Sequence, residues 1–207
     1  MFPPFVSTVD LANFLNTTVE ADDARAIIAL DAACQTVRTY TEQTLNLVRD
    51  DLQTFRGGPP PFLLPEQPVV QVNSVTVRDE LLAEDDWYVG FGGVLFIKDW
   101  RRWWNNWDDV AVVDYDHGWA IEEADIVQDE SGEGDVDRMP SDIRLVALRL
   151  AAGQYQMASA GTSAGMRSES LGAYSYTRMD GALGTGILSA PEKMILDRYR
   201  VKKVPVP

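Results

Sequence analysis

His117 is the only histidine of the chain, and Asp114 and Asp116 lie just before it. An imidazole oriented by a carboxylate is the usual make-up of a general base. Here the stretch Val110 to Asp116 alternates as a strand, which puts both aspartates on one face and leaves His117 at the strand end. No serine or cysteine sits in a Gly-x-Ser-x-Gly elbow or a comparable setting for a nucleophile. The reading is a turn histidine bonded to backbone, and a histidine-based metal site would lack partner ligands. The chain holds 32 aspartates and glutamates, so pairs suited to glycoside hydrolysis arise by chance and none is singled out. Glu122 to Asp137 fails the spacing of an EF-hand and reads as a solvated acidic loop. The glycines of Gly181 to Gly186 lack the lysine of a phosphate-binding loop, and that stretch reads as a linker. The expectation is therefore a protein without catalytic residues, metal or cofactor.

Two segments have compositions suited to binding. Trp100-Arg101-Arg102-Trp103-Trp104-Asn105-Asn106-Trp107 holds four tryptophans in eight residues. Aromatics interleaved with arginines mark binding surfaces. Three readings stand: a subunit or partner interface formed by Trp100, Arg101, Arg102, Trp103, Trp104 and Trp107; a hairpin tip packing back on its own domain; or a stack for sugars or bases. The C-terminal end carries Arg198, Arg200, Lys202 and Lys203 in an otherwise acidic chain. It would suit an acidic or sheet-edge partner reached by strand addition, or it is a free, soluble terminus.

Those residues need a scaffold, and composition bounds it. At 207 residues and 45% apolar content the chain is long enough for one domain with a real core. The net charge of −14 argues against a surface that grips phosphates, though not against a wall past which DNA slides. The single Cys34 excludes an intramolecular disulfide and a cysteine-rich zinc site. No apolar run is long enough to span a bilayer, and no basic-apolar-small leader opens the chain. A soluble, non-secreted protein is expected.

The pattern along the chain predicts helices flanking a sheet. Ser7 or Thr8 caps a short helix carrying Leu11, Phe14 and Leu15. A long helix follows from about Asp22 to Leu45, with Ile27, Leu30, Cys34, Val37, Thr41 and Leu45 on the apolar face. Asp31, Gln35, Arg38 and Glu42 fall on the polar face. From Asp50 to Asp116 the period changes to alternation. Val70, Val72, Val75 and Val77 read as a strand broken at Asn73-Ser74. Gly92-Gly93 turns Trp87-Tyr88-Val89 into Val94 to Ile97 as a hairpin. Glu122 to Arg138 is an aperiodic acidic loop. Pro140 opens a helix with a broad apolar arc from Ile143 to Tyr155, so broad that a neighbouring subunit could cover one side. Leu171 to Tyr176 reads as a short strand or arm. Ser189 and Glu192 form a capping box for a last helix, and Val201 to Pro207 is an extended tail. The fold class expected is mainly α with an inserted small antiparallel β-sheet (α+β). It would be a single domain of residues 1–200, helical over 1–48 and 140–200, with the β insertion at 50–118, the acidic loop at 120–138 and the tail at 201–207.

The order of these blocks resembles the head-to-tail connector (adaptor, or head-completion) proteins of long-tailed double-stranded DNA bacteriophages. The resemblance runs through Asp10-Leu11 with Phe14-Leu15, the long alanine-containing helix, Leu64-Pro65 with Pro68-Val69, and Val75-Thr76-Val77. It continues through Trp87, Gly93-Val94-Leu95, Tyr115-Asp116-His117-Gly118, Pro140-Ser141-Asp142-Ile143, Leu150-Ala151-Ala152, Gly172-Ala173-Tyr174-Ser175 and Leu196-Asp197-Arg198-Tyr199-Arg200. It implies a helical-bundle connector fold and a structural, non-enzymatic virion protein of the neck, made in the host cytoplasm. Such a protein forms a ring, usually dodecameric, under the portal. The ring extends the DNA channel, docks the next neck or tail component and lets genomic DNA pass without sequence-specific binding. On this resemblance Arg198, Arg200, Val201, Lys202, Lys203, Val204 and Val206 become the portal contact. Glu122, Glu123, Asp129, Glu130, Glu133, Asp135 and Asp137 become a loop facing the lumen or a neighbour.

Two alternatives stand beside the adaptor. One is a stopper or tail-completion protein of the same neck. The other, of a different class, is a carbohydrate-binding module using Trp100, Trp103, Trp104 and Trp107, against which the long amphipathic helices weigh.

Overall fold

The computed structural model describes residues 2–56, 58, 60–104, 109–121, 136–160, 168–171, 174–177 and 187–201. The chain divides into two compact units, Met1–Thr41 with Pro140–Arg200, and Glu42–Met139 with Val201–Pro207.

The first unit is helical. Helix α1 (Thr8–Leu15) starts at a full capping box: the Ser7 hydroxyl accepts from the Asp10 amide, and Asp10 accepts from the Ser7 amide. Arg144 donates to Asp10 at 3.0 Å and ties α1 to α4 (Ser141–Ala160). Burial works against the Asp10 carboxylate, but the Ser7 and Arg144 bonds outweigh it and hold its pKa below the usual value. Helix α2 (Ala24–Thr41) packs against α4, and α5 (Ala190–Leu196) packs on both. Part of the broad apolar arc of α4 is thus covered within the unit, while Leu145 stays 37% exposed. Ile143, Val146, Ala147, Leu150, Ala151 and Ala152 are fully buried, with α1, α2 and α5 around them. The Ser189–Glu192 capping box starts α5. Between α4 and α5 lies an antiparallel hairpin, β8 (Ser168–Leu171) with β9 (Tyr174–Thr177).

Helix α2 departs from its expected stripe at two positions. Ile27 is 42% exposed; the buried face turns instead to Ala26, Ala29 and Ala33, beside Leu30, Cys34 and Val37. Small side chains let two helix backbones approach closely, and this drew the packing toward the alanines. Arg38, expected in solvent, is buried. The lead-in Phe2-Pro3-Pro4-Phe5 folds over it: its guanidinium lies 5.3 Å from the Phe5 ring centroid, 5.9 Å from that of Phe2, and donates to the Pro3 carbonyl.

The second unit is all but helix-free. Its larger sheet has the order β1-β7-β3-β4: β1 (Val48–Arg56), β7 (Val110–His117), β3 (Val69–Val77) and β4 (Glu80–Leu81). Its smaller sheet has the order β2-β6-β5: β2 (Phe62–Leu63), β6 (Val94–Ile97) and β5 (Trp87–Gly90). Both are antiparallel. One face of β7 puts Ala111, Val113 and Tyr115 into a core with Val75, Val77, Leu64, Leu95 and Ile97. The other face carries Val110, Val112 and Asp114, only half-buried. Antiparallel sheets tolerate one solvated face.

A mainly α helical bundle is therefore not the fold. Strands match helices in extent, and seven strands in two sheets fill the region expected to hold one small insertion. The strand hidden from the pattern is β1, Val-Arg-Asp-Asp-Leu-Gln-Thr-Phe-Arg. It is an edge strand whose phase slips at an irregularity between Val48 and Asp51. Its apolar residues thus lose the period of two, while its backbone bonds to β7 hold it in place.

The alanine face of α2 is tightly packed and Ile28 is 67% exposed. Ala33→Leu should therefore destabilise the helical unit by about 1–3 kcal/mol. Ile28→Ala should leave stability within about 0.5 kcal/mol. Denaturant unfolding followed by circular dichroism checks the contrast.

Candidate functional site

The residues with chemical potential at the end of β7 form a structural polar cluster. Irregularities in β3 between Val69 and Gln71 and between Val72 and Ser74, with the one in β1, bring Arg49, Asp50, Asp51 and Asn73 to Asp114, Asp116 and His117. Buried Asp116 accepts from Asn73 Nδ2 at 2.8 Å, from the Asp50 amide at 2.9 Å and from Arg49 at 3.4 Å. Asn73 also reaches Asp114 and Asp50, each at 3.3 Å. Asp114 and Asp116 thus share one amide. His117 is 2% exposed; its Nε2 lies 3.3 Å from Asp51 Oδ2, and its Nδ1 has no partner among the described residues. The backbone bond expected for this histidine is replaced by a carboxylate, because the slip in β1 carries Asp51 to it. Among the described residues no cluster of three or more His, Cys, Asp or Glu could hold a metal ion. The cluster satisfies the polar groups gathered at a strand end.

Beside it, a second network fixes a loop. Gln43 donates to the Pro65 carbonyl and accepts from the Gln67 amide, both at 2.7 Å. The Thr44 amide donates to Glu66 at 2.7 Å. The Gln67 side-chain amide then donates to the Leu64 and Gly92 carbonyls at 3.2 Å, and the Leu64 amide to Gly93 at 3.0 Å. This clamps the β5–β6 turn, where Gly92 and Gly93 hold positive φ. At that turn Phe91 is fully exposed, next to exposed Tyr88 and Val89. Tyr88 stacks on Phe96 at 5.0 Å. An aromatic on a clamped turn is pre-ordered for contact with another surface. Sequence reasoning passed over it; an aromatic set among three glycines in a hairpin turn was the available signal.

The tryptophan segment begins with a short helix, α3 (Trp100–Trp103). Trp104 is 6% exposed and sits in the sheet core, its ring 5.5 Å from that of Phe62. Trp100 packs half-buried against the same core, with the Arg101 guanidinium 5.6 Å from its ring. The Trp103 side chain and Trp107 fall outside the described residues. Among the described side chains of the segment, Arg101 and Arg102 are the exposed ones. Of the acidic residues, Asp137 is exposed, and its carbonyl accepts from the Ala120 amide at 2.9 Å. Glu122, Glu123, Asp129, Glu130, Glu133 and Asp135 lie outside the described residues. Arg198 and Arg200 are exposed and Val201 is half-exposed, with Arg200 5.3 Å from the Tyr40 ring; Lys202, Lys203, Val204 and Val206 again lie outside.

Because Asp116 satisfies three donors in a buried position, Asp116→Ala should cost about 3 kcal/mol in the sheet unit. Asp116→Asn keeps one acceptor and should cost less. Chemical denaturation followed by tryptophan fluorescence measures both.

No protein-family model and no curated protein matches the sequence. Solved structures do. A chain in "Neck of empty GTA particle computed with C6 symmetry" superposes with a TM-score of 0.54 at 15% identity, covering 99% of this chain and 94% of that one. Chains in "Neck of native GTA particle computed with C12 symmetry" (0.48, 15%) and in "Virion of native gene transfer agent (GTA) particle" (0.47, 17%) cover the same shares. These two superpose too loosely to carry an argument. The first shows that this chain has the fold of a GTA neck chain along nearly its whole length.

Proposed function

We propose that this chain is a structural component of the neck of a phage-like particle, and within it the head-to-tail adaptor. In this reading identical copies form a ring under the portal, extend the DNA channel and dock the next neck or tail component. The carrying observation is the fold shared end to end with a chain of the GTA neck, a particle treated with sixfold symmetry. The block order that resembles phage adaptors supports the finer assignment. The surface agrees in kind: a clamped, exposed Phe91 and a basic end at Arg198 and Arg200 are features of docking, not of turnover. We assign no reaction to the chain. The acidic balance of −14 suits a wall that DNA passes without gripping.

Light scattering of the purified chain, alone and mixed with its portal, tests the assignment. The adaptor reading expects either a ring-sized species or a monomer that joins the portal. It also expects deletion of Val201–Pro207 to weaken portal binding by tenfold or more while leaving the circular dichroism unchanged. A folded chain indifferent to the portal shifts the assignment to a stopper below the adaptor.

A further inference from the structure

On the solvated face of the larger sheet, Arg56 of β1 pairs in register with Val110 of β7, and the Arg78 amide donates to the Val110 carbonyl at 3.0 Å. The two arginines therefore flank one residue of the central strand, their backbones about 10 Å apart across three strands. They line a cavity of about 370 Å³ with Thr76, Asp79, Asp109, Val110 and Val112. Both are exposed, and among the described residues neither makes an ion pair or hydrogen bond through its guanidinium. Asp109 is buried and has an interaction of its own. Among the described lining residues, Asp79 is thus the one carboxylate left to set against two guanidinium forks. Such a pair over an apolar floor suits carboxylates, which arginine binds bidentately.

We infer that this cavity receives the acidic segment 122–135 of a neighbouring copy of the chain. The inference rests on the ring proposed above and names one of its contacts. Charge complementarity selects the occupant: residues 122–135 hold seven aspartates and glutamates and no lysine or arginine. The chain's net charge of −14 disfavours the other polyanion at hand, DNA. Reach selects the neighbour. The cavity lies at the Val110 end of β7, whereas the segment leaves from the opposite end, past His117. There the Gly118 amide donates to Pro68, the Trp119 amide to Leu45 and the Ala120 amide to Asp137. Seven residues of strand separate Val110 from His117, about 23 Å. Fourteen residues running out and back from adjoining ends extend at most about 24 Å. The chain's own segment would have to be drawn taut over the full strand; a neighbour's has no such constraint.

The test is sedimentation velocity at low salt on the full chain. One variant, Arg56→Glu with Arg78→Glu, reverses the cavity. A second, Asp129→Lys with Glu130→Lys and Glu133→Lys, reverses the segment. Each alone should associate at least tenfold more weakly than the wild type, with circular dichroism unchanged. An equimolar mixture of the two should regain association, since each cavity then meets a segment of opposite sign on the other chain. Folded variants that associate like the wild type overturn the inference, as does a mixture that regains nothing, the result expected if the segment docks on its own chain. Rings that persist in the cavity variant while duplex DNA binding is lost overturn it in favour of nucleic acid. A wild-type chain that stays monomeric overturns it too, yet leaves the neck assignment to its own portal-binding measurement.

Discussion

Strand β7 is the constraint on which the sheet unit depends. It is paired on both sides along its length, with β1 and with β3. A central strand has no freedom of register: a slip of one residue would exchange Ala111, Val113 and Tyr115 for Val110, Val112 and Asp114 and turn the core outward. The irregularities that adjust the fit are all placed in its partners. They gather the polar side chains at one end, where Asp116 collects three donors. The opposite end, at Val110, is left with two arginines and a cavity. A single strand thus sets the polarity of the open face.

Each unit closes its own core. In the helical unit α4 is enclosed by α1, α2 and α5, and the tyrosine–aspartate bonds Tyr155–Asp23, Tyr199–Asp142 and Tyr40–Asp197 join its elements. Burial and then the Asp142 bond push the Tyr199 hydroxyl up to about 12, so it stays protonated far into the alkaline range. In the sheet unit Trp104, Tyr115 and Leu95 fill the interior. Among the described residues of the sheet unit, Phe91, Arg56, Arg78, Arg101 and Arg102 are exposed.

Much of this was legible in the residues. The Ser7 and Ser189 caps and the Gly92-Gly93 hairpin follow from local chemistry that acts within a few residues, while the break expected at Asn73-Ser74 is only a register irregularity within continuous β3. The errors arise where a distant partner decided the outcome. Arg38 looked solvent-facing until the Phe2–Phe5 lead-in covered it. Ile27 lost its place to alanines because the close approach of α4 cannot be read from α2 alone. Edge strand β1, with no period of two, was invisible until β7 lay beside it, and with it went the scale of the sheets. The candidate site suffered in the same way: Arg56 and Arg78 are 22 residues apart in sequence and meet only across β7, while Trp104, prominent in the sequence, is spent on the core.

The proposed place in a neck starts from the fold shared with a GTA neck chain. Electron cryomicroscopy of the particle that contains this chain, with its density located at the junction of head and tail, tests that placement most directly. The account predicts a closed ring on a sixfold or twelvefold axis, one chain per position, directly against the portal. Density for the chain elsewhere in the particle, or as a single copy off the axis, would contradict it.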